Sequence, residues 1–398
     1  MREKLYSKTE CDELMVWPYV GEVSHDTPPP GLQLPLFNSS TIEIPHFVID
    51  RYLDSPMKNS AGANNTFHIQ SRRYLGNKFK LLSLIRKIVE ERCKPYRNFC
   101  DIFAGTGVTG EHFNEKDIKI ISNELLYSNY ISLYAWLSPE SFDGGKIKEY
   151  INMLNSLSCD GENYFSINYG GTYFTYENAR KIGAIREKIE QMKLSFKERS
   201  ILLTSLLYAV DKAANTCGHY DAFRKKLDTT TPIKLLIPDI NQEKNCNNEI
   251  YNKDANVLIE NLECDILYIE PPDNSRQYCD AYHLLENLIC WNKGVVYGKA
   301  KKMDRSNLKS QYCLKSAGKV FSDLINKAKC KHILVSYNNT GESKDGRSNA
   351  RIKDGEIIRI LEEKGKVEIF EQHYKAFTTG KSATDGHTER VFYCKVRK

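Results

Sequence analysis

The chain lacks any apolar run near the roughly 20 residues a helix needs to cross a bilayer, so nothing in it predicts a membrane-spanning segment. It opens Met-Arg-Glu-Lys and continues polar, without the apolar core of a secretory leader. Its twelve cysteines stand singly from Cys11 to Cys394, with no C-x-x-C pair and no Cys/His cluster at zinc-ligand spacing. That argues against a zinc module or a disulfide scaffold, predicts no metal, and reads as reduced thiols in a cytoplasmic protein. There is no internal repeat. Charge imbalance is small as well: 57 basic against 51 acidic residues leave +6, too mild to indicate a nucleic-acid partner by itself. What remains is an ordinary globular composition, 41% hydrophobic and 27% charged, in 398 residues. At roughly 150 residues per domain, that length suits two domains.

Residues 1–70 carry Pro28-Pro29-Pro30, Pro35 and Pro45, then Ser/Asn/Gly-rich sequence with little helical periodicity. They are expected to form an N-terminal extension that packs on the body through Phe37, Ile42, Ile44, Phe47 and Val48. The body is expected to start at Ser71. A turn containing Tyr74, Gly76, Asn77 and Lys78 precedes Leu81, Leu82, Leu84, Ile85, Ile88 and Val89, which are spaced as one face of a helix. The segment from Asn98 to Phe103 then reads as a strand. It enters a turn with Gly105, Gly107 and Gly110, followed by a helix through His112 and Phe113, and the next strand, Ile118 to Ile121, leads to Glu124.

A glycine turn after a strand lets backbone N–H groups approach a ligand closely. Taken literally, the glycines spell G-x-G-x-x-G with an acidic residue near 20 positions on, the dinucleotide fingerprint. The same turn fits S-adenosylmethionine, with its carboxylate on the turn, its ribose on Glu124 and its cationic amino group on Asp101, where a pyrophosphate would not welcome an added anion. A tight turn without a ligand is the third reading. The turn alone leaves all three open.

From Ser138 to Asn245 the character changes to helical pattern through Ile185, Ile189 and Met192, then a well-buried helix from Ile201 to Val210. This reads as an insertion that ends in Tyr220, Phe223, Arg224, Lys225 and Lys226. Such a group could touch nucleic-acid backbone, or be the ordinary end of a surface helix. The sheet resumes near Tyr251, with Asp254 just after a short strand. Ile266 to Ile269 is an apolar run of the kind a parallel sheet buries on both faces, and Pro271-Pro272, lacking N–H groups, must end it. Glu270 is therefore held at the carboxyl end of a strand, where open α/β sheets bind ligands. Beyond lies a helix in which Asp280 is expected as cap and His283 as a structural histidine. Lysines and an arginine then crowd residues 293–319, by themselves a solvated face. Ile333–Asn338 reads as a core strand, Ile357, Ile358 and Leu361 as a helix, and residues 367–374 with 391–396 as a closing hairpin.

Arg72-Arg-Tyr-Leu-Gly-Asn-Lys78, Asp101-Ile-Phe-Ala-Gly-Thr-Gly107, Glu124, Asp254-Ala255, Glu270-Pro-Pro-Asp273 with Asn274-Ser-Arg-Gln-Tyr278, and Ser336-Tyr-Asn338 occur in this order. Together they resemble the D12-class, Dam-like adenine-specific DNA methyltransferases of restriction-modification systems, over nearly everything from Ser71 onward. The resemblance implies an α/β, Rossmann-like S-adenosylmethionine-dependent methyltransferase fold with an inserted, mainly helical target-recognition domain. Its parts would be an extension (1–70), a cofactor-binding first part (71–137), the insertion (138–245) and a second part with the catalytic loop (246–398). It implies cofactor contacts from Tyr74, Gly76, Asn77, Lys78, Asp101, Phe103, Gly105, Gly107, Glu124, Asp254 and Ala255. Catalysis would fall to Glu270, Pro271, Pro272 and Asp273, and DNA contacts to Arg224, Lys225, Lys226, Ser275, Arg276 and Tyr278. The substrate would be double-stranded DNA with the adenine flipped out, and a cognate restriction endonuclease acting on the same site would be a partner.

The chain departs from the family's Asp-Pro-Pro-Tyr tetrad twice. Glu270 keeps the acceptor but is one methylene longer. Asp273 removes an aromatic face and is expected to set a second carboxylate beside Glu270. The alternative function is therefore an impaired homologue that binds cofactor and a DNA site, and a dinucleotide oxidoreductase stands behind both.

Overall fold

A computed structural model describes residues 44–49, 65–228, 231–338, 350–373 and 388–397. Its strands are β1 (His46–Ile49), β2 (Thr66–Phe67), β3 (Asn98–Asp101), β4 (Lys119–Asn123), β5 (Ile237–Pro238), β6 (Glu249–Tyr251), β7 (Glu263–Ile269), β8 (Lys329–Asn338), β9 (Gly365–His373) and β10 (Thr388–Val396). The first seven helices are α1 (Leu82–Arg92), α2 (Val108–Phe113), α3 (Tyr127–Leu137), α4 (Gly144–Asn155), α5 (Tyr164–Tyr169), α6 (Tyr176–Gln191) and α7 (Phe196–Ala213). Five more follow: α8 (Ala255–Leu258), α9 (Tyr278–Ala281), α10 (His283–Cys290), α11 (Ala317–Lys327) and α12 (Asp354–Lys364). No helix among the described residues is long and apolar enough to cross a membrane, and the described cysteines are free thiols.

Eight strands form one sheet in the order β1-β9-β10-β8-β7-β3-β4-β6. All its pairings are parallel except those of β10, which runs against both β8 and β9. Side-chain alternation explains how it is covered. Along β7, Ile266 and Tyr268 enter one apolar cluster with α1, α3, α7 and α10, while Leu267 and Ile269 enter another with α8, α11 and α12. Helices thus cover both faces, which is why the strand reads as a continuous apolar run. From β3 the chain goes outward one way through β4 and β6, and the other way through β7 and β8. The order of strands reverses between β3 and β7, and a sheet of this kind opens a crevice at the carboxyl ends of such a pair.

Residues 138–245 supply α4 to α7. Asp143 caps α4 through the N–H groups of Gly145 and Lys146, Thr175 caps α6, and Ser195 with Glu198 forms a capping box on α7. Leu202, Leu203, Leu206 and Val210 of α7 are fully buried, in the same cluster as α1, α3 and α10.

Three details differ from the sequence reading. Ordered packing begins before Ser71, because Phe67 and Ile69 are buried in the core and β2 pairs with β5, far along the chain. Of the expected contacts of the extension, Phe47 stacks on Phe370 beside the β1–β9 pairing and Ile44 packs at the second cluster; Phe37 and Ile42 lie outside the described residues. Asp280 does not cap a helix: α9 starts two residues earlier, and the carboxylate instead pairs with Lys302 and Arg305.

Candidate active site

The turn after β3 is shaped by its neighbours. Gly105 has φ +55°, and a Cβ there would lie 3.3 Å from the Tyr74 ring. Its N–H donates to Glu124 Oε2 at 2.9 Å, and Leu126 N–H donates to Oε1 at 3.1 Å, so the carboxylate ending β4 holds the turn beside it. Burial raises the Glu124 pKa to about 7 against the pull of those two amides. Gly107, expected with Gly105 beside the cofactor, meets its neighbours differently. It lies at the start of α2 with φ +88°, and a Cβ would fall 2.5 Å from Leu133 and 3.2 Å from Ile69. Its missing side chain makes room for α3, away from the cavity surface.

That surface is lined by Tyr74, Gly76, Asn77, Lys78, Phe103, Gly105, Glu124, Asp254, Ala255 and Glu270, among others. A concave lining of apolar and aromatic residues with a few convergent polar groups suits a small-molecule site. Nine of the eleven expected cofactor residues meet here: Tyr74, Gly76, Asn77, Lys78, Phe103, Gly105, Glu124, Asp254 and Ala255. Besides Gly107, Asp101 stays out. It is the last residue of β3, buried under the turn, with Oδ1 lacking a hydrogen bond; burial, and then the charge of Glu270, pushes its pKa well up. Asp254 lines the cavity while capping α8, accepting from Asn256 and Val257 N–H.

Several lining groups gave no sequence signal. Tyr312 stands edge-on to Phe103, with centroids 5.0 Å apart, and its hydroxyl donates to Asn256. Gln277 brings that segment in: its side chain donates to Ser310 O at 3.0 Å and accepts from Ser310 N–H at 2.8 Å. Only the segment's distance in sequence hid it.

On the opposite wall, buried Arg72 donates to Asn129, which donates to the Tyr74 hydroxyl, and Tyr74 stacks on Tyr282 at 4.6 Å. Tyr282 accepts the Leu75 N–H and Tyr278 donates to Leu75 O. Gly76, at φ +76°, passes so close that a Cβ would be 3.0 Å from the Tyr278 hydroxyl. The turn then delivers Lys78 to two carboxylates, Glu270 at 3.3 Å and Glu389 at 3.5 Å. Burial opposes the ammonium, but Glu270 and Glu389, with a smaller pull from Asp273, more than offset it and raise its pKa.

Glu270 follows β7 directly, accepting from the Tyr268 hydroxyl at 3.3 Å. Burial raises its pKa to about 7; Lys78 works against this and Glu389 adds to it. The leading acidic neighbour that raises Glu270 is Glu389, at the start of β10, for which the sequence holds no signal. The Asp273 side chain accepts from the Asn274 amide at 2.8 Å, and its carbonyl from Arg351 N–H and the Tyr337 hydroxyl. A second cavity opens here, lined by Glu270, Pro271, Asp273, Arg276, Ser336, Tyr337 and Glu389 among others. The two cavities share Leu75, Gly76, Lys78, Glu270 and Tyr278 as a common wall.

The expected DNA contacts divide. Arg276 and Tyr278 line the second cavity, and Ser275 is half-buried between them and Asn274. Arg224, Lys225 and Lys226 are exposed outside both linings, Arg224 pairing with Asp228 at 2.7 Å. Tyr220, read with them as a surface group, is fully buried. Its N–H and carbonyl meet Ala281 and His283, and its hydroxyl donates to Asp211. The same contact accounts for His283, whose pKa burial lowers to about 4. Of the later basic stretch, Lys302 pairs with Asp221 and Lys293 with Glu187, while Lys299, Lys301, Lys309, Lys315 and Lys319 are exposed.

A family model described as D12 class N6 adenine-specific DNA methyltransferase matches residues 74–344. The chain is 35% identical to the Type II methyltransferase M.FokI of Planomicrobium okeanokoites, over 81% of this chain and 52% of that protein. It is 35% identical to the modification methylase StsI of Streptococcus sanguinis, over 68% and 44% respectively. It is 31% identical to the Type II methyltransferase M.NlaIII of Neisseria lactamica, over 79% of this chain and 95% of that one. The chain thus spans about half the length of the first two and nearly all of the third.

Proposed function

The chain belongs to the D12 class of N6 adenine-specific DNA methyltransferases, and on that basis we propose that it methylates N6 of an adenine flipped out of duplex DNA, with S-adenosylmethionine as donor. The observation that carries this reading is the common wall: the carboxylate of Glu270 opens on two chambers, one for a donor and one for an acceptor.

The first chamber fits the cofactor by its own chemistry. Glu124, with each oxygen engaged by a single N–H, keeps lone pairs for ribose hydroxyls. Phe103 and Tyr312 give an apolar end beside Asp254 for the adenine ring, and the Gly105 turn gives close backbone approach. When bound, the cofactor supplies a methyl group activated by a sulfonium. In the second chamber Glu270 and the Pro271 carbonyl accept the two N6 hydrogens of the target base. That localises a nitrogen lone pair otherwise delocalised into the ring and aims it at the donor. Because N6 lies inside the duplex, the base must leave the stack; Tyr278 and Tyr337 are the rings beside which it would sit.

Residues 138–245 are proposed as the target-recognition domain of a Rossmann-like methyltransferase. Arg224, Lys225, Lys226, Ser275 and Arg276 would face the DNA, in a cytoplasmic protein whose partner is an endonuclease cutting the same site. The impaired-homologue reading lacks comparable support, since Glu270 keeps its place on the common wall despite the variant tetrad. Incubation with labelled S-adenosylmethionine and mixed-sequence duplex DNA is expected to label adenine at N6; cofactor binding with no label on adenine would overturn the catalytic reading.

A further inference from the structure

Glu389 belongs to no motif of the sequence, yet it completes the charged centre of the second cavity. Lys78 stands between two carboxylates at nearly equal distances, 3.3 Å from Glu270 Oε1 and 3.5 Å from Glu389 Oε2. One ammonium cannot neutralise two ionised acids, so above about pH 7, where Glu270 is ionised, one negative charge is in surplus. Glu389 Oε2 is buried and makes no hydrogen bond. Among the described residues lining this cavity, the further charges Asp273 and Arg276 are of opposite sign and offset one another. Asp273, Arg276, Tyr278 and Tyr337 line the same cavity, and Tyr268 lies close enough to feel its charge. The cross-strand partners of Glu389, Asn338 on β8 and Gln372 on β9, do not titrate. Next along the strand, Arg390 is occupied by Asp354.

An acceptor held by a lysine is a poor acceptor for an incoming N–H. We propose that Glu389 is a positioning residue that takes over Lys78 when the base enters, releasing Glu270 to accept its share, one of the two adenine N6 hydrogens. The lysine needs to shift only slightly, because both partners are already in range. The surplus negative charge remains beside the reacting nitrogen, which becomes more positive as the transfer proceeds until its proton is lost, and a fixed anion favours that change. This inference rests on the adenine-methylation reading.

The test is the single-turnover rate on DNA against pH for the full chain and for Glu389→Gln. With the competing anion gone, Lys78 stays on Glu270. The plateau rate is expected to fall about 10-fold, while the acid limb moves to lower pH because Glu270 loses its like-charged neighbour. Affinities for DNA and for S-adenosylhomocysteine should stay at wild-type values, and Glu389→Asp should fall between. A merely structural role would lower rate or stability and leave the acid limb in place. The inference is overturned by a wild-type profile in Glu389→Gln, or by a lower plateau with an unmoved limb. If the Gln variant fails to fold, Glu389→Asp decides: a displaced limb with a lowered plateau supports the role, and a wild-type profile ends it. Absence of adenine methylation by the wild-type chain would instead sink the parent reading, whereas an active wild type indifferent to Glu389 sinks this one alone.

Discussion

Glu124 takes the N–H of Gly105 at 2.9 Å across neighbouring strands, so the carboxylate expected to bind a ribose also fixes the turn the ligand must approach. Replacing Glu124 by Ala removes an acceptor from two backbone amides and from the ligand together. A charged hydrogen bond is worth roughly 1.5–3 kcal/mol, so S-adenosylmethionine should bind about 10–100-fold more weakly, as measured by calorimetry. Affinity within a few-fold of wild type would count against ribose binding at this carboxylate.

Two glycines of the turn separate binding from packing. Gly107→Ala combines a left-handed φ of +88° with a contact of 2.5 Å to Leu133, a clash and a strain that together cost about 2–4 kcal/mol. Gly105→Ala meets only Tyr74 at 3.3 Å. Denaturant titration should show the larger stability loss for Gly107→Ala, and cofactor titration the larger affinity loss for Gly105→Ala relative to its effect on stability.

How much of this was legible follows from where each group gets its position. The β7 strand and diproline, the glycine turn, Glu124 and Asp254 declare themselves through local pattern, and the reversal of strand order between β3 and β7 brings them together. Glu389 and Tyr312 had no such signal. Each is a lone residue delivered by tertiary pairing, Glu389 by the antiparallel return of β10 and Tyr312 by the Gln277–Ser310 clasp. Asp101 and Gly107 carry the motif yet stand outside the cavity lining, Asp101 buried at the end of β3 and Gly107 packed against Leu133 and Ile69. Tyr220 was misread because a polar, basic sequence neighbourhood conceals a ring buried against α9 and α10.

Glu270 should trade stability for activity. Its folded pKa, about 7, lies above the ordinary 4.5, so the folded state binds this proton more tightly than the unfolded one. The stabilisation is full below about 4.5 and is lost as pH rises through about 7. At pH 8 burial of the ionised side chain counts against stability and its pairing with Lys78 counts for it, so the stability of Glu270→Gln relative to wild type should rise between pH 4 and pH 8, by no more than about 3 kcal/mol, while methyl transfer is lost. Thermal melts at pH 4 and 8 check this; a variant whose stability relative to wild type does not rise over that range contradicts it.

Gln277→Ala removes both bonds to Ser310 and with them the hold on the segment bearing Tyr312. The expected result is a rise in KM for S-adenosylmethionine of roughly 10-fold, two neutral hydrogen bonds at about 1 kcal/mol each being partly expressed in binding. kcat should change less. Steady-state kinetics at saturating DNA distinguish this from a general loss of activity.

The wall of Leu75, Gly76, Lys78, Glu270 and Tyr278 is common property of both chambers, so their sizes are not independent design variables. A side chain added at Gly76 to exclude one small molecule would press on the Tyr278 hydroxyl, 3.0 Å away, and displace a ring of the neighbouring chamber. Selection for a bulkier alkyl donor would therefore alter the acceptor side as well, and variants of this wall should gain a new donor only with a changed tolerance for the base.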